Sequence, residues 1–379
     1  MAEQDICVII PTVRDIEFLR NYFDNARDNG FDLDRIFVVL VTEDFCDTDK
    51  MEALLEEEGV SGKAFDGSAR EEWFREKDAE EFSHLIPEGS HAETSFGLLY
   101  MWANPDFDYG MFIDDDTQPH EDFDFFGKHI ENLNSEGEKV QKVESDKDWV
   151  NVLYQNYEEH ELYPAGYPYS RMNEENSITE GRIDGEVVVS HGLWTNIPDL
   201  DSVRILSDGN LYGRSEVIMD KEDYGEDFVV KEGNYLTTCS MNMAFRRQVI
   251  PVLYHLPMDD NEWEIGRFQD TWSGLFLKKS ADILGKTIYS GDPLCVHNKE
   301  PRSSFKSLSQ EFPGLELNEH MWEIVDKADE GDSYGEIYLN ISDALIEASV
   351  RNYNNAGFYK MCGEYMKDWI ECLDHLGDE

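Results

Sequence analysis

Three short apolar runs constrain this chain most: CVIIPTV (7–13), RIFVVLVTE (35–43) and YGMFI (109–113). Each is nearly continuous in β-branched or aromatic residues, the pattern of strands buried on both faces in a parallel sheet. Helical patterns separate them. One follows Asp15, with Phe18, Leu19 and Phe23 on one face; others are expected near Met51–Leu55, from about Ala69 to Leu85, and over SFGLLYMWA (95–103). Strand and helix in alternation predict an α/β sheet with right-handed crossovers. Downstream, EVVVS (186–190) reads as a strand, whereas MNMAFRRQVIPVLY (241–254) and GRFQDTWSGLFLKKSADIL (266–284) read as helices. Three further helices are expected towards the end, in HMWEIVDKA, IYLNISDALIEASVRNY and FYKMCGEYMKDWIECLDHL. The expected organisation is one large domain over 1–310, divided into a nucleotide-binding half (1–116) and a sugar or acceptor half (117–310), then a helical appendage over 311–379.

The formal net charge of −50, from 82 acidic against 32 basic side chains, bears on solvent rather than fold. Such self-repulsion destabilises a compact state unless molar salt cuts the screening length to about 3 Å. The chain therefore reads as a halophile's protein, and nucleic acid or an anionic membrane is an unfavourable partner. No apolar run reaches the length of a membrane span, and MAEQDICVII has no basic residue ahead of its apolar run, so a cytoplasmic location is expected. Cys7, Cys46, Cys239, Cys295, Cys362 and Cys372 include no CxxC and read as free thiols. Walker and GxGxxG loops are absent.

The chemistry concentrates at MFIDDDTQP (111–119). Ligands of an open α/β sheet sit beyond the carboxyl ends of its strands, and Asp114–Asp116 fall at such an end. Two carboxylates two residues apart can hold a hard divalent cation, with diphosphate oxygens completing its shell. Asp114 and Asp116 are the expected metal ligands, with Asp114 also at the nucleotide. Asp115 points the other way if the strand stays extended. The alternative is a solvated acidic turn. Asp270, at the start of a helix, is the candidate catalytic base, or simply an acid placed favourably at a helix N-terminus. His297 suits Mn²⁺ as a third ligand or is structural. Lys299 and Arg302, bases in an acidic chain, suit phosphate or form surface ion pairs. Trp194 suits a sugar-binding wall or the core.

The run FIDDD, GYPYS (166–170), VSHGLWTNIPDLD (189–201), CSMNMAF (239–245), GRFQDTWSG with Lys278, and the His297–Lys299 segment resembles, in that order, the reversibly glycosylated polypeptides. These are the plant UDP-arabinopyranose mutases, also called α-1,4-glucan-protein synthases. The resemblance covers roughly 108–305. It implies a GT-A-like fold, a mainly parallel sheet flanked by helices, a UDP-sugar ligand, and Mn²⁺ (or Mg²⁺) at Asp114, Asp115 and Asp116. Arg267, Asp270 and Trp272 match the family's Arg–Asp–Trp segment, with Gln269 where a second acid is usual. His297 and Lys299 match its His-Ser-Lys, with Asn298 in the middle. Ala165 stands where the plant proteins carry the arginine that is reversibly glycosylated; Met172 replaces a second arginine, with Arg171 one residue earlier. Family members assemble, so a homo-oligomer is expected.

Three functions follow. The first is a metal-dependent glycosyltransferase that uses a nucleotide-diphosphate sugar and a glycan or lipid-linked acceptor, which the missing arginine favours. The second is a UDP-sugar pyranose/furanose mutase. The third is a non-catalytic nucleotide-sugar-binding partner subunit, against which the intact Asp114, Asp116, Asp270 and His297 speak.

Overall fold

The computed structural model describes residues 4–156, 161–258, 261–351 and 353–377. The strands are β1 (Ile6–Pro11), β2 (Ile36–Val41), β3 (Ser61–Phe65), β4 (Tyr109–Ile113), β5 (Thr117–Pro119), β6 (Lys139–Ser145), β7 (Trp149–Val150), β8 (Asn176–Arg182), β9 (Val187–Asn196), β10 (Phe228–Val230), β11 (Tyr235–Leu236), β12 (Asn242–Arg246) and β13 (Thr287–His297). The helices are α1 (Leu19–Asn29), α2 (Thr48–Glu58), α3 (Gly67–Glu76), α4 (Thr94–Trp102), α5 (Phe125–Leu133), α6 (Ser202–Ser207), α7 (Gln269–Ile283), α8 (Ser304–Val325), α9 (Tyr334–Ala348) and α10 (Gly357–Gly377).

The three apolar runs supply β1, β2 and β4, which with β3 form an all-parallel block of the sheet in the order β3-β2-β1-β4. Ile6 to Ile10 are each at most 1% exposed, and burying each large aliphatic side chain is worth about 1.5–3 kcal/mol. This is why the runs carry almost no polar residue. α4 packs on β1 and β2, and α10 packs on α4, so α4 is apolar all round. Gly97 permits the close approach: a Cβ there would lie 2.3 Å from Ile9 Cγ2.

Beyond β4 the order continues β12-β9-β13-β10-β6-β8, with β5 paired to β13. β12 runs antiparallel to both β4 and β9. Its segment reads as helix in the sequence, and this expectation is corrected: the chain is a strand to Arg246, then a 3₁₀ turn over Arg247–Val252. Placed between two strands with open edges, Asn242–Phe245 are buried and fully laddered, and ladder bonding overrides a local helical pattern. Phe245 lies opposite Gly110, where a side chain would strike its ring. The acidic helix expected to Leu85 ends instead at Glu76; Asp78 has φ 49°, and a 3₁₀ turn follows over Glu80–Leu85.

Many aspartates are used locally: Asp47, Asp66, Asp124 and Asp201 accept N-cap hydrogen bonds for α2, α3, α5 and α6. The C-terminal helices are present, but α8 starts at Ser304 and runs through Pro313, so the boundary expected at 310/311 lies inside it. α10 joins the common core through Trp369, stacked 4.6 Å from Tyr254. Among the described residues no helix is long and apolar enough to cross a membrane.

Candidate functional site

The carboxyl ends of β1 and β4 open onto a cavity of about 550 Å³, within the range that holds a nucleotide-sized ligand. Asp114, Asp115, Asp116, Trp194, Arg267, Asp270, His297, Lys299 and Arg302 all line it. These residues come from β9, β13, the first turn of α7 and the segment just before it, and the loops that follow β4 and β13, so the sheet order brings together positions nearly two hundred residues apart in sequence.

Asp114–Asp116 do not continue β4 as an extended strand. They form a tight turn into β5, closed by Thr117 N–H donating to the Asp114 carbonyl oxygen (3.2 Å), with Thr117 Oγ1 donating to the same oxygen (2.7 Å). The alternation expected for an extended strand therefore does not apply, and Asp115 also faces the cavity. There it accepts a hydrogen bond from Thr12 Oγ1 (2.7 Å) and faces Arg14 at 3.6 Å.

β5 pairs with the end of β13, Thr117 opposite His297. Asn298 N–H donates to the Asp116 carbonyl oxygen at 2.7 Å. This register brings His297 Nε2 to 3.7 Å from Asp116 Oδ2. His297 Nδ1 sits 2.7 Å from the Ile197 carbonyl oxygen; a carbonyl only accepts, so Nδ1 carries the proton and Nε2 is the atom turned to the acidic turn.

Asp199 is a cavity residue that sequence reasoning did not single out, although it lies in the quoted NIPDLD run. Its carboxylate pairs with Lys299 Nζ, which is only 5% exposed. Burial raises the Asp199 pKa, but Lys299, His297 and Arg267 together outweigh burial and hold it well below the carboxylate range. Asp114 is in the opposite situation. Burial first, then Asp116, Asp270, Asp115 and Asp199, push it well above the usual value. Burial and Asp199 likewise raise Asp270, whose Oδ1 accepts from Thr271 N–H (2.8 Å) in the first turn of α7. Burial also raises Asp116, yet His297 and Arg14 reverse the shift and leave it lowered. The Cys239 thiol, a cavity residue at the head of the CSMNMAF run that sequence reasoning did not single out, is kept protonated by burial and by Asp270, Asp199 and Asp114.

Arg267 adopts φ 69°, a costly conformation for a side-chain-bearing residue. Its Nε pairs with Glu311 Oε1 at 3.1 Å. Glu311 comes from α8 and also accepts Ser202 N–H (2.8 Å); nothing in the local sequence marks it as part of a cavity. Trp194 is 1% exposed yet lines the cavity, and among the described residues its indole N–H has no partner.

Trp272, expected at the substrate, is corrected to a core residue. It is fully buried, donates Nε1–H to Asn318 Oδ1 (3.0 Å) and stacks on Phe268 with ring centroids 5.5 Å apart. Two residues on from Asp270 in a helix, it points about 200° away from it. Arg171 also lies off the cavity, its guanidinium 4.3 Å over the Trp322 ring and 3.9 Å from both Asp148 and Glu323. Ala165 is on the cavity wall, its N–H donating to the Asp199 carbonyl oxygen at 2.9 Å. Among the described residues no three His, Cys, Asp or Glu side chains are grouped closely enough to hold a metal ion by themselves, so Asp114, Asp116 and His297 do not form the expected three-ligand set as they stand.

The family described as "Reversibly glycosylated polypeptide" matches residues 84–378. The likeness thus reaches through the C-terminal helices, beyond the 108–305 seen from motifs. Curated relatives include "Probable UDP-arabinopyranose mutase 1" of Zea mays, 30% identical over 261 residues, covering 67% of this chain and 63% of that protein. "UDP-arabinopyranose mutase 1" of Oryza sativa subsp. japonica is 29% identical over 283 residues, covering 71% and 68%. Among solved structures, the mannosyltransferase PcManGT from Pyrobaculum calidifontis, in complex with GDP-Man and Mn²⁺, aligns over 98% of this chain and 84% of that one at TM-score 0.38 and 11% identity. S. aureus TarS 1-349 in complex with UDP-GlcNAc aligns over 98% and 83% at TM-score 0.40 and 11% identity. With the match running over most of its length, the chain belongs to the reversibly glycosylated polypeptide family.

Proposed function

We propose that the chain is a metal-dependent, GT-A-type glycosyltransferase that takes its glycosyl group from a nucleotide-diphosphate sugar, with UDP as the nucleotide, in glycan or glycoconjugate assembly. The observation that carries this reading is the meeting of Asp114, Asp116, Asp199 and Asp270 with Arg267, Lys299 and Arg302 in one cavity at strand carboxyl ends. Burial and the charges of Asp116, Asp270 and Asp199 raise the proton affinity of Asp114, and burial and Asp199 raise that of Asp270, a repulsion that a divalent cation and its phosphate ligands would relieve.

The residues fit such an ion through hard oxygen donors rather than a closed protein cage. Asp114 and Asp116 would hold Mn²⁺ or Mg²⁺, with His297 Nε2 beside them and diphosphate oxygens filling the shell. Bound there, the ion supplies charge neutralisation at the departing diphosphate. Arg302 and Lys299 face the phosphates and Trp194 borders the sugar. As the C1–O bond to the diphosphate breaks and a C1–O bond to the acceptor oxygen forms, the acceptor proton passes to the Asp270 carboxylate. A pKa raised towards the working pH suits that base.

A second reading, a UDP-sugar mutase, is favoured by the relatives bearing that name. Ala165 stands against it, since an alanine on the cavity wall cannot carry a sugar. The two are separated by incubating the protein with Mn²⁺ and a panel of UDP- and GDP-sugars in molar KCl, with and without acceptor. Release of free nucleoside diphosphate that depends on acceptor is expected. An isomeric nucleotide sugar without release would establish the mutase instead, and absence of any donor binding would leave a non-catalytic subunit.

A further inference from the structure

A second groove, of about 430 Å³, backs onto the first cavity and plays no part in the chemistry above. The segment 297–299 is the wall between them. His297 and Lys299 line the cavity, whereas Asn298 lines the groove, the alternation expected of extended chain. On β9 Trp194 lines the cavity and Asn196 the groove; two residues apart they would share a face of an extended strand, and the positive φ of Asn196 is where β9 leaves that geometry. Asn196, at φ 72°, donates Nδ2–H to the His297 carbonyl oxygen (3.0 Å) and to Asn298 Oδ1 (3.1 Å). This fixes the two amides side by side. Asn210 supplies a third, oriented by Glu216 Oε1 (3.0 Å) and by Tyr212 N–H (2.7 Å).

Charge and exposure identify the kind of ligand. In a chain of net charge −50, the groove's lining carries one base, Arg214, and one acid, Glu216. A locally neutral lining gives no purchase to a metal ion, a phosphate or a polyanion. The bonds that Asn196 donates leave Asn196 Oδ1 as an acceptor and Asn298 Nδ2 as a donor, held side by side and suited to hydroxyl groups. The Tyr212 ring is 67% exposed and Ile218 51% exposed on the same groove. An exposed aromatic face beside fixed amides complements a pyranose, which has an apolar face and a polar rim. The groove adjoins the cavity lining: Arg302, which lines the cavity, donates its N–H to the Tyr212 carbonyl oxygen at 2.9 Å.

We propose that this groove binds a neutral oligosaccharide, the distal part of the glycan whose terminal hydroxyl enters the cavity. The acceptor role rests on the transferase reading above; glycan binding does not. The test is isothermal calorimetry in molar KCl with maltotetraose, mannotetraose and xylotetraose, alongside Mn²⁺–UDP, on the wild type, Tyr212→Ala and Tyr212→Phe. At least one tetraose is expected to bind the wild type, to lose about tenfold in affinity in Tyr212→Ala, and to stay within about twofold in Tyr212→Phe. Mn²⁺–UDP affinity is expected to be unchanged in both variants. A wild type that binds Mn²⁺–UDP but no tetraose overturns the groove and spares the donor reading. Tetraose binding undiminished in Tyr212→Ala also overturns it. Tetraose binding lost in Tyr212→Ala, without any binding of Mn²⁺–UDP, upholds the groove and removes the donor reading.

Discussion

Asp199 and Lys299 form a unit on the cavity wall, and breaking it has a calculable cost. Replacing Asp199 by Asn keeps the shape and an acceptor oxygen but leaves the Lys299 ammonium, 5% exposed, without its counter-charge. Stranding a buried ion costs about 3–5 kcal/mol. Two features reduce that figure here. The Asp199 side chain is 25% exposed, so water reaches the pair, and its charge repels Asp114, Asp116 and Asp270, a repulsion that the substitution removes. A net loss of about 2 kcal/mol is therefore expected for Asp199→Asn. Lys299→Met gains no such relief and should cost about 3 kcal/mol, since it strands Asp199 among like charges. The double variant should recover about 1.5 kcal/mol relative to the sum of the two. Urea unfolding at constant molar KCl measures all four proteins without changing ionic strength. A coupling below about 0.5 kcal/mol would refute the claim that this pair organises the wall.

Asp116→Ala is expected to abolish Mn²⁺-dependent binding of UDP, measured by calorimetry; affinity that survives unchanged removes the acidic turn from the donor site. Trp272→Ala should lower stability by about 3–5 kcal/mol as a core truncation, whereas Trp272→Phe should keep UDP binding; a Phe variant that is stable but binds no UDP would return Trp272 to the substrate. Burial pushes His129 down to about 4, against 6.5 for an unperturbed imidazole. Between those values the unfolded chain binds more protons, so stability is complete above about pH 6.5 and is lost as pH falls through 4, by up to about 3 kcal/mol for this residue. Urea midpoints at pH 7, 5.5 and 4.5 should show that loss, and His129→Gln should lessen it; an identical pH slope in the variant would exclude the buried ring as its cause.

What the sequence determined was whatever depends on local pattern. The apolar runs around Val8, Val38 and Phe112 could only be buried strands, because so many contiguous side chains must leave water together. The triplet at 114–116, the helix-start acid Asp270 and the bases near His297 were legible because chemistry placed at strand and helix ends leaves a compositional mark. The tertiary structure decided the rest. Whether 242–246 is helix or strand depended on open edges at β4 and β9, invisible from within the segment. The turn at Asp114–Asp116 depended on β5 reaching β13, and it reversed the expected direction of Asp115. Trp272 sits in the core and Trp194 on the cavity wall because of what packs against each, not because of their neighbours in sequence. Glu311 and Asp199 joined the site through pairings with Arg267 and Lys299, 44 and 100 residues away. Local pattern fixes which segments must be buried; only the register between distant segments fixes which charges must face one another.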